Sequence, residues 1–157
     1  MDADASVAWR HNAHVRAEGG FSLIELMVTV AIVAILATIA FPTYRAYVLK
    51  TNRADAMRAL TEDAQILQRC YSEAYTFVGC APIPPAAPAF TTSPNGYYDL
   101  SSTILVGPPQ TFVLTAAAVG AQADDTACAT FSVNQAGQQT AQNSSNSDNS
   151  AACWGSN

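Results

Sequence analysis

No histidine follows His14. Both histidines of the 157-residue chain, His11 and His14, fall within its first twenty residues. A Ser-His-Asp or Cys-His device, or a histidine-bearing metal site, is therefore unavailable to the rest of the chain. No lysine or arginine follows Arg69. Phosphate contacts draw mainly on those two side chains, so no nucleic-acid groove is expected in the C-terminal part. None of the four cysteines stands in a C-x-x-C pair, which argues against a zinc ribbon or a thioredoxin-type site. Gly19-Gly20 is not followed by Lys-Ser/Thr, so there is no phosphate-cradling loop. The carboxylates Asp99, Asp124, Asp125 and Asp148 form no recognisable acid–base pair. Asp124-Asp125 could hold a hard cation, but two adjacent acids in a turn are usually just solvated. Neither an enzyme nor a metal or cofactor is expected.

Charge is scarce overall. Charged residues make up 12% of the chain and apolar ones 50%, too apolar a balance for a disordered protein. The length fits one domain beside a membrane helix, since single domains run to ~100–200 residues. Net charge is −5; with residues 1–20 removed, five basic and nine acidic residues leave −4. The five basic residues, Arg45, Lys50, Arg53, Arg58 and Arg69, all fall on one expected helix.

What the chain does have is an apolar run. From Phe21 to Phe41 there is a single charge, Glu25. The run is long enough to cross a hydrocarbon core as a helix. An isolated acid at the centre of a membrane helix costs ~2.5–3.5 kcal/mol on insertion scales, so Glu25 calls for a partner. The amino group made by a cut between Gly20 and Phe21 would supply one. Residues 1–20 read as a leader of mixed sign, and the apolar segment follows the cut instead of being lost with it, unlike a secretory signal.

Gly20 followed by Phe21-Ser22-Leu23-Ile24-Glu25-Leu26 resembles the processing site of a type IV prepilin. The resemblance implies that a membrane peptidase cuts after Gly20 and methylates Phe21, and that Glu25 serves subunit docking. The Phe41-Pro42-Thr43-Tyr44 exit, Gly96-Tyr97-Tyr98, the Ala136-Gly137 turn and Cys153-Trp154 more loosely resemble PilE-type minor pilins.

Beyond the run, Pro42 removes a helical hydrogen bond and clashes with the Thr38 carbonyl, so a kink is expected at 38–42. Ala54, Met57, Leu60, Ala64, Leu67 and Tyr71 mark an apolar stripe, with Asp55/Arg58, Arg58/Glu62 and Gln65/Arg69 at helical neighbour spacing on the other side. The expected organisation is a leader over 1–20, a membrane or filament-core half-helix over 21–41 and an amphipathic half over 42–72. A connecting loop over 73–96 follows, containing Pro82, Pro84, Pro85, Pro88 and Pro94, then a sheet domain over 97–157. Strands are expected at 97–101, 110–118, 127–134 and 138–142, with Phe112, Leu114 and Ala116 on one face. Such strands after one long helix make an α+β fold, an antiparallel sheet on a helix, as in type IV pilins.

An even cysteine count in a small exported domain reads as two disulfides, with three possible pairings. Nearest neighbours, Cys70–Cys80 and Cys128–Cys153, are preferred, the second tying down the Asn/Ser/Asp-rich tail and placing Trp154 on the domain. Flanking charge alone favours a cytoplasmic C-terminus; the cysteines and the resemblance place the domain outside.

The resemblance implies a structural subunit of a type IV pilus, a minor pilin serving biogenesis and motility or adhesion. It would be held in the inner membrane, single-pass with its domain in the periplasm, and then become part of an extracellular filament. Its implied partners are other pilin subunits, the prepilin peptidase/methyltransferase, the inner-membrane assembly machinery and, before assembly, membrane lipid. A type II secretion pseudopilin and a non-polymerising membrane-anchored binding domain are the alternatives.

Overall fold

The computed structural model describes residues 20–80 and 91–155. The leader residues 1–19, the loop residues Pro82, Pro84, Pro85, Pro88 and Phe90, and the last two residues lie outside that set. The chain divides into two units, one ending at Ile39 and one running from Ala40 onward.

Helix α1 spans Leu23–Ala74 and continues through Pro42. The expected bounds, 21–72, differ by two residues at each end. Within the first unit every described side chain is exposed. Thr29 Oγ1 donates to the Leu26 carbonyl at 2.9 Å, and Thr38 Oγ1 to the Ile35 carbonyl at 2.7 Å. These hydroxyls are thus satisfied on their own helix and bring no orphan donor into lipid or into a helix bundle. Among the described residues, α1 is the one helix long and apolar enough to cross a membrane.

The second unit is built on an antiparallel sheet in sequence order: β1 (Thr91–Thr92), β2 (Tyr98–Leu105), β3 (Thr111–Ala118), β4 (Thr130–Asn134) and β5 (Gln139–Gln142). A 3₁₀ helix, Gly120–Asp124, links β3 to β4, and a short helix α2, Ser150–Trp154, follows β5. Alternation does the sorting. Phe112, Leu114 and Ala116 point into the core with Tyr98, Leu100, Phe131 and Val133. They form one buried cluster with Ala56, Ala59, Leu60, Ala64 and Leu67 of α1. Burial of such side chains is worth ~1.5–3 kcal/mol each for the large ones.

The stripe on α1 is corrected in two places. Ala54 is exposed and Tyr71 is 38% exposed, while Ala56 and Ala59 are buried. Alanine suits either environment, so periodicity chose the wrong alanine at the start of the stripe. Asp55, assigned to the solvent face beside Arg58, is buried instead. Its carboxylate accepts from Ser93 Oγ at 2.5 Å and from Asn95 Nδ2 at 3.0 Å, because the turn before β2 brings those donors over the helix.

Strand β2 runs four residues past its expected end, and β1 lies in the stretch expected to be loop. Ser102 lies beyond the expected end of the strand, yet Ser101 pairs with Thr115 and Ser102 with Leu114, and Thr103-Ile104 continue the ladder. At the turn between β4 and β5, Asn134 Oδ1 accepts from Ala136 N and Gln138 N at 3.0 Å each. Gly137 there has φ +73°, a left-handed conformation that glycine takes without steric cost.

Candidate assembly surface

In the first unit the features are Gly20, Phe21 and Glu25. Phe21 and Glu25 are exposed, and Glu25 has no cationic partner among the described residues. The Leu26 amide donates to the Ser22 carbonyl at 3.1 Å, so helical bonding begins at the second residue after the expected cut. A free amine on Phe21 would thus sit at the helix's positive end, where its own backbone donors offer it no acceptor.

In the second unit, α1 is locked to the β3–β4 connection by charge. Arg53 donates to Asp125 through Nε at 2.7 Å and Nη2 at 2.9 Å, a bidentate pair with side chains only 14% and 4% exposed. Arg45 reaches Asp124 at 2.7 Å, with both side chains about 60% exposed. The two adjacent acids are therefore not merely solvated: each holds an arginine, and Asp125 is buried. The signal available in the sequence was Arg45 and Arg53 eight residues apart on one helix, facing an Asp-Asp turn.

Gln122 sits between them, buried. Its Nε2 donates to the Leu49 carbonyl at 3.0 Å and to the Tyr98 hydroxyl at 3.1 Å, and its Oε1 accepts from Asn52 Nδ2 at 3.0 Å. Burial pushes the Tyr98 phenol up to about 12; the bond from Gln122 acts against that rise and the Asp125 carboxylate with it. Further along α1, burial and the neighbouring Glu62 carboxylate raise Asp63 to about 6.

Disulfides close both ends of the sheet domain. Cys70–Cys80 ties the end of α1 to the loop that follows, and Cys128–Cys153 ties α2 to the start of β4; no described cysteine is free. Beside the first, Tyr71 stacks on Phe77 at 4.4 Å, and Phe77 meets Phe112 edge-on at 5.0 Å. Beside the second, Trp154 packs edge-on against Phe131 at 5.6 Å and donates to the Thr140 carbonyl at 2.8 Å. The tail is folded by its own side chains. Asn143 Oδ1 accepts two backbone amides, Asp148 accepts from Ser150, and Asn149 Nδ2 donates to the Ala127 carbonyl.

A family model described as "Type IV minor pilin ComP, DNA uptake sequence receptor" matches residues 42–132, more than half of the chain. The chain belongs to the type IV pilin family. A second model, "Prokaryotic N-terminal methylation motif", matches residues 15–41 of this pilin and so brackets Gly20 and Phe21. The fimbrial protein EcpC of Eikenella corrodens is 35% identical over 97 residues, covering 62% of this pilin and 60% of EcpC. A fimbrial protein of Pseudomonas aeruginosa is 37% identical over 93 residues, 59% of this pilin and 56% of that protein. The pilin thus spans about three fifths of the length of the curated relatives it matches. A solved type IV pilin from Shewanella oneidensis is 30% identical and covers 58% of this chain and 89% of its own, with a TM-score of 0.42.

Proposed function

We propose that this pilin is a minor subunit of a type IV pilus, cut between Gly20 and Phe21 and methylated on Phe21. The observation that carries the reading is the methylation-motif match across a Gly-Phe junction that opens an uncovered apolar helix. Before assembly, residues 21–41 sit in the inner membrane, with residues 42–72 and the sheet domain in the periplasm. Two disulfides favour that side, because an oxidising compartment keeps them closed.

On leaving the bilayer, the helix exchanges lipid for other helices. The gain comes from packing and shape, since lipid tails are as apolar as leucine. Glu25 then meets the Phe21 amine of a neighbouring subunit, which relieves a poorly solvated charge and sets axial register. Removing one partner of such a pair costs ~3–5 kcal/mol, mostly as an unpaired buried charge. Pro42 weakens α1 near Thr38, letting the helix bend where it leaves the bundle.

The peptidase/methyltransferase and the assembly machinery act on the residues around the cut, and the assembled filament serves motility or adhesion. Mass spectrometry of the mature N-terminus tests the processing step: the expected chain begins with methylated Phe21. Glu25→Ala is expected to insert in the membrane normally and to lose most of its incorporation into sheared filaments. Incorporation at the unsubstituted level would defeat the register role.

The name of the matched family model supports a second reading, reception of DNA. The charge pattern opposes it. Arg45, Arg53 and Arg69 are paired with Asp124, Asp125 and Glu73, which leaves Lys50 and Arg58 as the unpaired cations among the described residues. Duplex DNA binding with a steep salt dependence would favour this reading; two phosphate contacts would give a log–log slope of only about −2.

A further inference from the structure

We propose that a pocket on α1 beside Tyr97 receives the β2–β3 hairpin tip of a second copy of this chain, an inference that rests on the pilus-subunit reading. The pocket has a volume of about 160 Å³ and is walled by Tyr44, Val48, Leu49, Tyr97 and Ala121. Its amide and charged neighbours are already engaged. Arg45 pairs with Asp124, Asn52 donates to Gln122, and Gln122 donates to Leu49 and Tyr98. A polar ligand would find those groups occupied, so the site suits an apolar guest. Its size suits one side chain: a cavity of ~150 Å³ holds a benzene ring, whereas drug-sized ligands fill ~300–1,000 Å³.

The guest is present on the same domain. Leu105 and Val106, at the tip of the β2–β3 hairpin, are 61% and 72% exposed. Pro108 and Pro109 follow within the turn and hold its backbone, so presenting the two side chains costs little ordering entropy.

The two features lie at opposite ends of one hairpin. Tyr98 pairs with Ala118 at the pocket end, and Leu105 pairs with Thr111 at the tip end. Seven residue steps of strand separate them, roughly 23 Å, so a subunit cannot fill its own pocket. Two different, complementary patches at opposite ends make a head-to-tail contact, which sets two copies in a fixed axial order instead of pairing them as a two-fold dimer. The wall residue Tyr44 is itself exposed, as are Phe41 and Tyr47 on the same helix.

The test uses the full chain in filament-forming cells. Val106→Cys and Ala121→Cys are introduced singly and together, and sheared filaments are treated with a short bis-maleimide. The double variant is expected to give cross-linked dimers of this chain, and each single variant none. Leu105→Ser with Val106→Ser is expected to lower filament incorporation by roughly a hundredfold or more, as the loss of two buried aliphatic side chains implies. Processing at Gly20 and the melting temperature should stay unchanged, because both residues are exposed in the free subunit. Absence of the cross-linked dimer, cross-links to a different protein, or incorporation of the serine variant at the unsubstituted level would overturn the proposal while leaving the subunit reading intact. If the unsubstituted chain never enters filaments, both fall together.

Discussion

The two arginine–aspartate pairs on α1 offer a controlled comparison, because they share chemistry and differ in burial. In the first variant, Asp125→Asn, Arg53 keeps its position but loses a bidentate, charge-assisted pair whose acceptor is almost fully buried. Hydrogen bonds to charged groups contribute ~1.5–3 kcal/mol each, and the asparagine retains part of one of them. Arg53, 14% exposed, regains only part of its hydration. The expected loss is ~2–4 kcal/mol. For a unit of this size a loss of 1 kcal/mol lowers the melting temperature by ~3–4 °C, so the drop should be about 6–15 °C. In the second variant, Asp124→Asn, the pair is about 60% exposed on both sides. Exposed pairs contribute ~0.2–1 kcal/mol, so the drop should stay below ~4 °C. Trp154 makes the measurement direct. Once residues 1–20 are removed it is the only tryptophan in the chain, and it packs on Phe131 inside the sheet domain. Thermal unfolding of the cut chain in detergent, followed by its fluorescence, reads this domain. Equal effects of the two variants, or a larger effect from Asp124→Asn, would refute the claim that burial decides which clamp holds the helix.

Asp63 should set a pH dependence. Its carboxyl titrates near 6 when folded against 3.8 when free, so between about pH 4 and 6 the folded state holds a proton that the unfolded chain gives up. Stability therefore falls as pH rises through that window and is flat above it. A half-buried group discounts the full shift to ~1 kcal/mol. Asp63→Asn should raise the melting temperature at pH 7 by a few degrees and flatten the pH 4–6 slope; an unchanged slope would remove Asp63 as its source. Cys128→Ser with Cys153→Ser opens a loop spanning 25 residues, a loss of ~3 kcal/mol in the chain-entropy model. Urea unfolding should show an earlier midpoint and an earlier loss of Trp154 fluorescence, and an unmoved midpoint would mean that the tail's own hydrogen bonds suffice.

Much of the architecture was legible because its signals are long or strongly periodic. The apolar run, the 3.6-residue stripe and the Phe112/Leu114/Ala116 alternation each repeat enough to outweigh single exceptions. The nearest-neighbour cysteine pairs also match the disulfides observed. What escaped was set by tertiary partners. Asp55 looks like a surface acid until Ser93 and Asn95 arrive from forty residues away. The stretch from Ser102 to Leu105 adds no clear strand signal until β3 pairs with it. Gln122 carries little local signal, since three of its four side-chain bonds reach Leu49, Asn52 and Tyr98 across the fold. Gly20, Phe21 and Glu25 were readable together because the proposed processing and docking need them in a fixed linear order. The Arg53–Asp125 clamp has no such order, and only folding brings its halves into register.

The way the chain finishes has a consequence for what kind of fibre it can join. Asp148 bridges back to Gln142, and α2 then packs along β5. That side of the sheet is sealed against strand addition, the route by which exposed β-rims seed amyloid. For a pilin, whose family forms polymers, the seal separates two fates. Cross-β stacks hold their members almost irreversibly, whereas a polymer joined by helices and side-chain knobs can release its subunits one at a time.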